Sequence, residues 1–210
     1  MRLLTALSIF AISALTAFWG WQTVGFSVVL ASAAEAPARA PDRLLRWVGV
    51  PGLTVEALEA SLRDPKSPGA LSPVVREVEL RALLAVHPMS SQAWLSLAGD
   101  RLVLGQPASE VTSALAMSWI TGPNEGAVMW QRGVFGLAIW NLLSADQRRE
   151  AVGDIVGAMR GHAVGDQWDV AKGVLTQLPS ATRAEVADAL QMAGLSSKEM
   201  ADIGLFAANQ

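Results

Sequence analysis

The chain begins with a long stretch that carries no charge. From Leu3 to Ala34 it contains no Asp, Glu, Lys, Arg or His, and most residues are apolar. A helix needs roughly 20 mostly apolar residues to cross a bilayer, and this stretch is longer. A buried helix of a soluble domain would show a polar face, which Leu3 to Ala17 largely lacks. We therefore predict that residues 1–34 form a transmembrane signal anchor in contact with membrane lipid.

A cleaved signal peptide is the alternative to an anchor, because residues 31–33 read Ala-Ser-Ala, a cleavage pattern. The apolar region of a signal peptide usually spans only about 7–15 residues, so the anchor is favoured. Arg2 favours a cytoplasmic N-terminus, and three later arginines favour the opposite orientation: Arg39, Arg43 and Arg46. Because the cleavage pattern indicates export, we expect a single-pass protein of a bacterial inner membrane with a periplasmic C-terminal domain.

The composition excludes several classes of protein. Hydrophobic residues make up 51% of the chain and charged residues 17%, which excludes a disordered chain. The net charge of −3 gives no basic surface for nucleic acid, and cysteine is absent. His87 and His162 lie outside any metal-binding motif, and no phosphate loop or nucleophile elbow occurs. The sequence thus predicts no enzyme, no cofactor and no metal site.

Signals for the start and end of helices recur along the rest of the chain. Residues 35–71 read as an Ala/Pro-rich linker with short helices, and Ser72-Pro73 then reads as an N-cap followed by a proline in the first turn. Ser144 and Ser196 each begin a capping-box pattern, and Asn124 is expected to cap another helix. The apolar spacing is helical and the connections are short, which favours antiparallel neighbours. We predict an all-α domain of antiparallel helix pairs over residues 72–210.

Three tryptophans recur at nearly equal intervals, each early in the first helix of a predicted pair: Trp94, Trp130 and Trp168. This spacing resembles the tetratricopeptide repeat, whose pattern begins W-x2-L-G-x2-Y. Leu97 and Ala98 fit that pattern, whereas Arg101 stands where the tyrosine belongs. The alternative is a plain helical bundle with tryptophans filling its core. On the repeat interpretation the tryptophans are structural, and Trp94 and Trp130 are expected to be buried between paired helices.

The stretch from Gly122 to Arg132 is the predicted partner surface. Four of its residues are the candidate binding residues, bordering a groove on the helix face that repeat proteins use for peptides: Asn124, Glu125, Gln131 and Arg132. Arg132 is expected to be the main charged contact. The alternative is that Arg132 only covers the core. Gly133 and Gly136 are expected to let two helices approach closely.

The same region resembles small membrane-anchored, repeat-like proteins encoded among polysaccharide synthesis and export genes of alphaproteobacteria. The residues that match are Thr121–Glu125, Val128-Met129, Arg132, Phe135-Gly136 and Trp140. The resemblance implies a protein-binding or scaffold module of an envelope assembly that makes or exports polysaccharide. A cytoplasm-facing assembly factor for a membrane complex is the alternative, and an enzyme acting on envelope glycans has less support.

Overall fold

The described part of the chain is helical. A computed structural model describes residues 13, 16, 20–28, 53–62, 71–161 and 168–205, and within these ranges helices are joined by turns without any strand. The prediction of an all-α fold is confirmed for these residues. The chain divides into two compact units, residues 1–87 and residues 88–210.

The first unit contains a helical segment at residues 20–28 and two further helices, α1 (Thr54–Leu62) and α2 (Pro73–Val86), which pack against each other. The Ser72 hydroxyl accepts a hydrogen bond from the Val75 backbone N–H, so the predicted N-cap of α2 is present. In the ranges given above, no helix has the length and apolar character needed to cross a bilayer. Most of the predicted anchor, residues 1–34, lies outside the described residues, as does much of the linker.

The second unit consists of seven α-helices and one short 3-10 helix in its described part. Their bounds are α3 (Ser91–Val103), α4 (Ala108–Thr121), α5 (Gly126–Ala138), the 3-10 helix (Trp140–Leu142), α6 (Ala145–Arg160), α7 (Trp168–Gln177), α8 (Ser180–Met192) and α9 (Ser197–Asp202). Both predicted capping boxes are present, Ser144 with Gln147 and Ser196 with Glu199.

The start of α5 differs from the prediction. Glu125 occupies the N-cap position and makes no capping bond with its side chain, and Asn124 lies one residue earlier in an exposed turn. The prediction that Asn124 caps this helix is therefore wrong. Glu125 instead accepts a hydrogen bond from the Ser91 hydroxyl on α3, so its side chain binds another helix rather than the first turn of α5.

Packing in the second unit follows successive hairpins. Helix α3 packs against α4, and α5 packs against α6. Helix α5 also contacts α3 and α7, and α8 contacts α6 and α9. The main apolar core joins α5 to the helices that follow it, and its fully buried side chains include Trp130, Leu137, Ile155, Leu175 and Leu190.

The recurring tryptophans do not occupy equivalent places. Trp130 is only 1% exposed, as predicted, and its ring packs edge-on against Trp168 with 5.6 Å between ring centroids. Trp94 is only partly buried, so the prediction that it is buried is wrong. Its indole N–H donates to the Pro88 carbonyl at 2.8 Å, which holds the ring at the start of α3.

Two glycines on α5 allow the close approach of α6. A Cβ added to Gly136 would lie 2.6 Å from the Ala151 Cβ, and one added to Gly133 would lie 2.8 Å from the Ile155 side chain. These distances are shorter than real Cβ contacts. At both positions, side chains of α6 therefore pack directly against the backbone of α5. The packing role predicted for Gly133 and Gly136 is confirmed.

Gly136→Ala should destabilise the protein by about 1–3 kcal/mol, the usual cost of forcing extra atoms into a packed interface. The matched control is Gly153→Ala on α6, where an added Cβ meets nothing within 4 Å. Because alanine favours a helix over glycine, the control should be more stable by about 0.5–1 kcal/mol. Urea unfolding of the detergent-solubilised full-length chain measures both changes. Equal effects from the two substitutions would contradict the packing argument.

Candidate functional site

Arg132 is fully buried beneath the predicted partner surface. Its guanidinium group forms a two-pronged ion pair with Asp154 on α6, with Nε 2.6 Å from Oδ2 and Nη2 2.8 Å from Oδ1. Both side chains are almost completely removed from solvent. The prediction that Arg132 is a charged contact for a partner is therefore wrong. Its position on α5 faces the helix pair rather than solvent, and Asp154 neutralises its charge there.

The ion pair extends into a network that joins α3 to α6. Trp119 on α4 donates its indole N–H to Asp154 Oδ2 at 2.7 Å. Arg132 Nη1 donates to the Ser118 carbonyl at 2.7 Å, and the Ser118 hydroxyl donates to the Ser91 carbonyl on α3 at 2.8 Å. These bonds satisfy buried polar groups from four helices at once, which fixes the relative positions of those helices.

Burial dominates the electrostatics of Asp154. Removal from water raises the pKa of its carboxyl group above the ordinary value, while the hydrogen bond and charge of Arg132 and the hydrogen bond of Trp119 oppose that rise. An ion pair in such surroundings depends on both partners, because either charge left alone would be buried without compensation.

The turn between α4 and α5, residues Gly122 to Glu125, is held from beneath by this network. Arg132 Nη1 donates to the Gly122 carbonyl at 3.1 Å, and the Ser91 hydroxyl donates to Glu125 Oε2 at 2.6 Å. A Cβ at Gly122 would lie 2.6 Å from the Ser91 side chain and from Glu125 Oε1, so the turn has no room for a larger residue. Pro123 and Asn124, between these anchored ends, are exposed.

The predicted binding residues therefore separate into two groups. Asn124, Glu125 and Gln131 are exposed, the first two in the turn and the third on α5. Gln131 shares the exposed face of α5 with Ala127 and Ala138, because exposed residues recur there at helical spacing. Arg132 lies beneath this face and positions the turn.

Sequence reasoning missed the partners of Arg132 on other helices, above all Asp154. One signal was present: Arg132 and Asp154 are each a lone charge within an apolar helical pattern, as in "MWQRGVFG" and "VGDIVG". Charges in such patterns are seldom buried unless they are paired.

The arrangement is a buried, fully hydrogen-bonded support for the turn above it. Each polar group of the network is engaged with another, and the described residues contain no group of three His, Cys, Asp or Glu side chains placed to hold a metal ion. No protein-family model, curated protein or solved structure matches this chain. The function is therefore inferred from the exposed turn, the face of α5 and the network beneath them.

Proposed function

We propose that the protein is a helical protein-binding module, held at a membrane, that serves as a scaffold in a cell-envelope assembly. Its partner surface comprises the Gly122–Glu125 turn and the exposed face of α5. The observation that carries this proposal is the anchoring of an exposed turn by Ser91 and Arg132, which belong to a network of polar groups from four helices. A surface element that is already ordered loses less conformational freedom when it binds, which favours affinity.

The order of the helices supports a repeat-like binding surface. Two hairpins follow each other in sequence, α3–α4 and α5–α6, and the first helix of the second hairpin contacts both α3 and α7. Tetratricopeptide-like proteins stack such hairpins so that their first helices form an extended surface for peptides. In that arrangement Gln131 would lie on the binding surface and Arg132 beneath it.

The setting is proposed from the sequence. The uncharged stretch from Leu3 to Ala34 supports an anchor in the inner membrane. The resemblance of residues 121–140 to proteins encoded with polysaccharide synthesis and export genes supports a role in that process, with the domain in the periplasm. The second candidate is a cytoplasm-facing assembly factor, which the arginines following the stretch favour: Arg39, Arg43 and Arg46.

Gln131→Lys should reduce capture of the protein partner by about tenfold or more, because it places a bulky charge at the centre of the proposed surface. Gln191→Lys on α8 is the matched control, an identical change at another exposed helical glutamine. Both variants should unfold within about 0.5 kcal/mol of the parent, since neither side chain is buried. Capture is measured with the tagged full-length chain after mild detergent extraction. Equal capture by the two variants would place the surface elsewhere.

The full-length protein should stay in the membrane fraction after an alkaline carbonate wash, whereas a chain starting at Glu35 should be released. This difference follows from the uncharged stretch, which the shorter chain lacks.

C-terminal reporter fusions then separate the two orientations. A reporter active only after export should be active on the periplasmic proposal, and one that fluoresces only in the cytoplasm should be bright on the alternative. Release of the full-length chain would rule out the anchor.

A further inference from the structure

The helical segment at residues 20–28 has an exposed apolar stripe. Trp21, Val24 and Val28 are 77%, 60% and 63% exposed, and their spacing of three and four residues places them on one side of the helix. Phe26, on a different side, is only 6% exposed. The segment thus has one covered side and one exposed side, and the exposed side carries Trp21 and two valines.

The Ser27 hydroxyl group beside the stripe is satisfied without water. The Ser27 hydroxyl donates to the Thr23 carbonyl at 2.9 Å, one turn earlier in the same helix. Hydroxyl groups in a bilayer are accommodated by this type of bond, because no water is present to accept them. The segment also lies within the uncharged stretch from Leu3 to Ala34, so no charged side chain opposes its burial in hydrocarbon.

We propose that the stripe formed by Trp21, Val24 and Val28 contacts lipid acyl chains, while the side of the helix carrying Phe26 faces protein. This inference rests on the membrane anchoring proposed above and adds the side of the helix that lipid covers.

A second helix fits the stripe less well than lipid does. Helix contacts in membranes favour Gly, Ala, Ser and Thr, which let backbones approach, whereas all three side chains of the stripe are large. Tryptophan is also enriched where a helix enters the bilayer.

The chain has no cysteine, so single-cysteine variants of the full-length protein carry a spin label at one position only. Trp21→Cys, Val24→Cys and Val28→Cys test the stripe, with Phe26→Cys and Gln22→Cys on the covered side as controls. Each labelled protein is reconstituted into phosphatidylcholine vesicles. Collision rates with oxygen, which partitions into lipid, are then compared with those of a water-soluble nickel chelate by electron paramagnetic resonance.

The three stripe positions should show oxygen collision rates severalfold higher than Phe26→Cys, with nickel collisions suppressed. High nickel collision rates at the stripe would place it in water, and low rates for both reagents would place it against protein; either result overturns the proposal. Carbonate washing of the same variants separates this failure from loss of the anchor. If the variants stay in the membrane but the stripe shows low oxygen collision rates, only the lipid contact is refuted. If the variants are released by the wash, the anchoring itself is refuted.

Discussion

Arg132→Met should destabilise the protein by about 3–5 kcal/mol, the usual cost of leaving the other member of a buried ion pair alone. The Asp154 carboxylate would keep the Trp119 N–H but lose both bonds from the guanidinium group. The carbonyls of Ser118 and Gly122 would lose a donor in the same step. Urea unfolding of the solubilised full-length chain, followed by circular dichroism, measures the change.

A double-mutant cycle tests whether the cost belongs to the pair. Asp154→Leu alone should be similarly damaging, whereas Arg132→Met with Asp154→Leu should cost clearly less than the sum, because no buried charge remains. Arg132→Lys should recover little stability, because one ammonium group cannot form the two-pronged contact. Additive effects in the cycle would show that Arg132 and Asp154 act independently and would contradict the network.

Two further substitutions distinguish a positioning role for Arg132 from a contact role. Arg132→Glu would place a second carboxylate against Asp154, so we expect loss of folding rather than selective loss of partner capture. Gln131→Lys, one residue earlier on the exposed face, should show the opposite pattern. Substitutions at Arg132 thus test the buried network, and substitutions at Gln131 test the proposed partner surface.

Local chemistry made parts of this fold predictable from sequence. The Ser144 and Ser196 capping boxes depend on residues three positions apart, so the pattern alone identifies them. Gly133 and Gly136 were predictable as packing positions, because glycine inside a helix costs stability unless a neighbour needs the space. The capping boxes are decided within one turn of the chain, and the cost of a glycine inside a helix is equally local, although the residues that Gly133 and Gly136 pack against most closely lie on α6.

Long-range contacts decided the parts that sequence reasoning did not predict. Asp154, which pairs with Arg132, follows it by 22 positions on another helix. The N-cap position of α5 was expected at Asn124 but is occupied by Glu125. The Glu125 carboxylate accepts a hydrogen bond from Ser91, 34 positions earlier. A helical pattern shows which positions repeat along one face, but the identity of the opposing residue comes only from the packing of separate helices. Of the four candidate binding residues, three are therefore exposed, whereas Arg132 was wrongly expected at the surface.

Trp130→Ala should destabilise the protein by about 3–5 kcal/mol, as expected when a buried tryptophan is truncated. The ring is only 1% exposed and packs edge-on against Trp168, so its removal leaves a cavity and deprives Trp168 of its partner. Aromatic pairs of this kind contribute about 0.5–1.5 kcal/mol beyond the area they bury. Thermal and urea unfolding of the full-length chain measure the loss.

Trp94→Ala is the matched control, because it is the same truncation early in the preceding first helix. Its ring is only partly buried and its indole N–H makes one bond to the Pro88 carbonyl, so we expect a cost of about 1–2 kcal/mol. Three tryptophans in strictly equivalent repeat positions would instead give similar costs. They stand at the fourth, fifth and first positions of α3, α5 and α7. A much larger loss of unfolding free energy for Trp130→Ala than for Trp94→Ala would therefore show that the regular spacing conceals unequal packing. Equal losses would show that burial alone does not set the stability of this core.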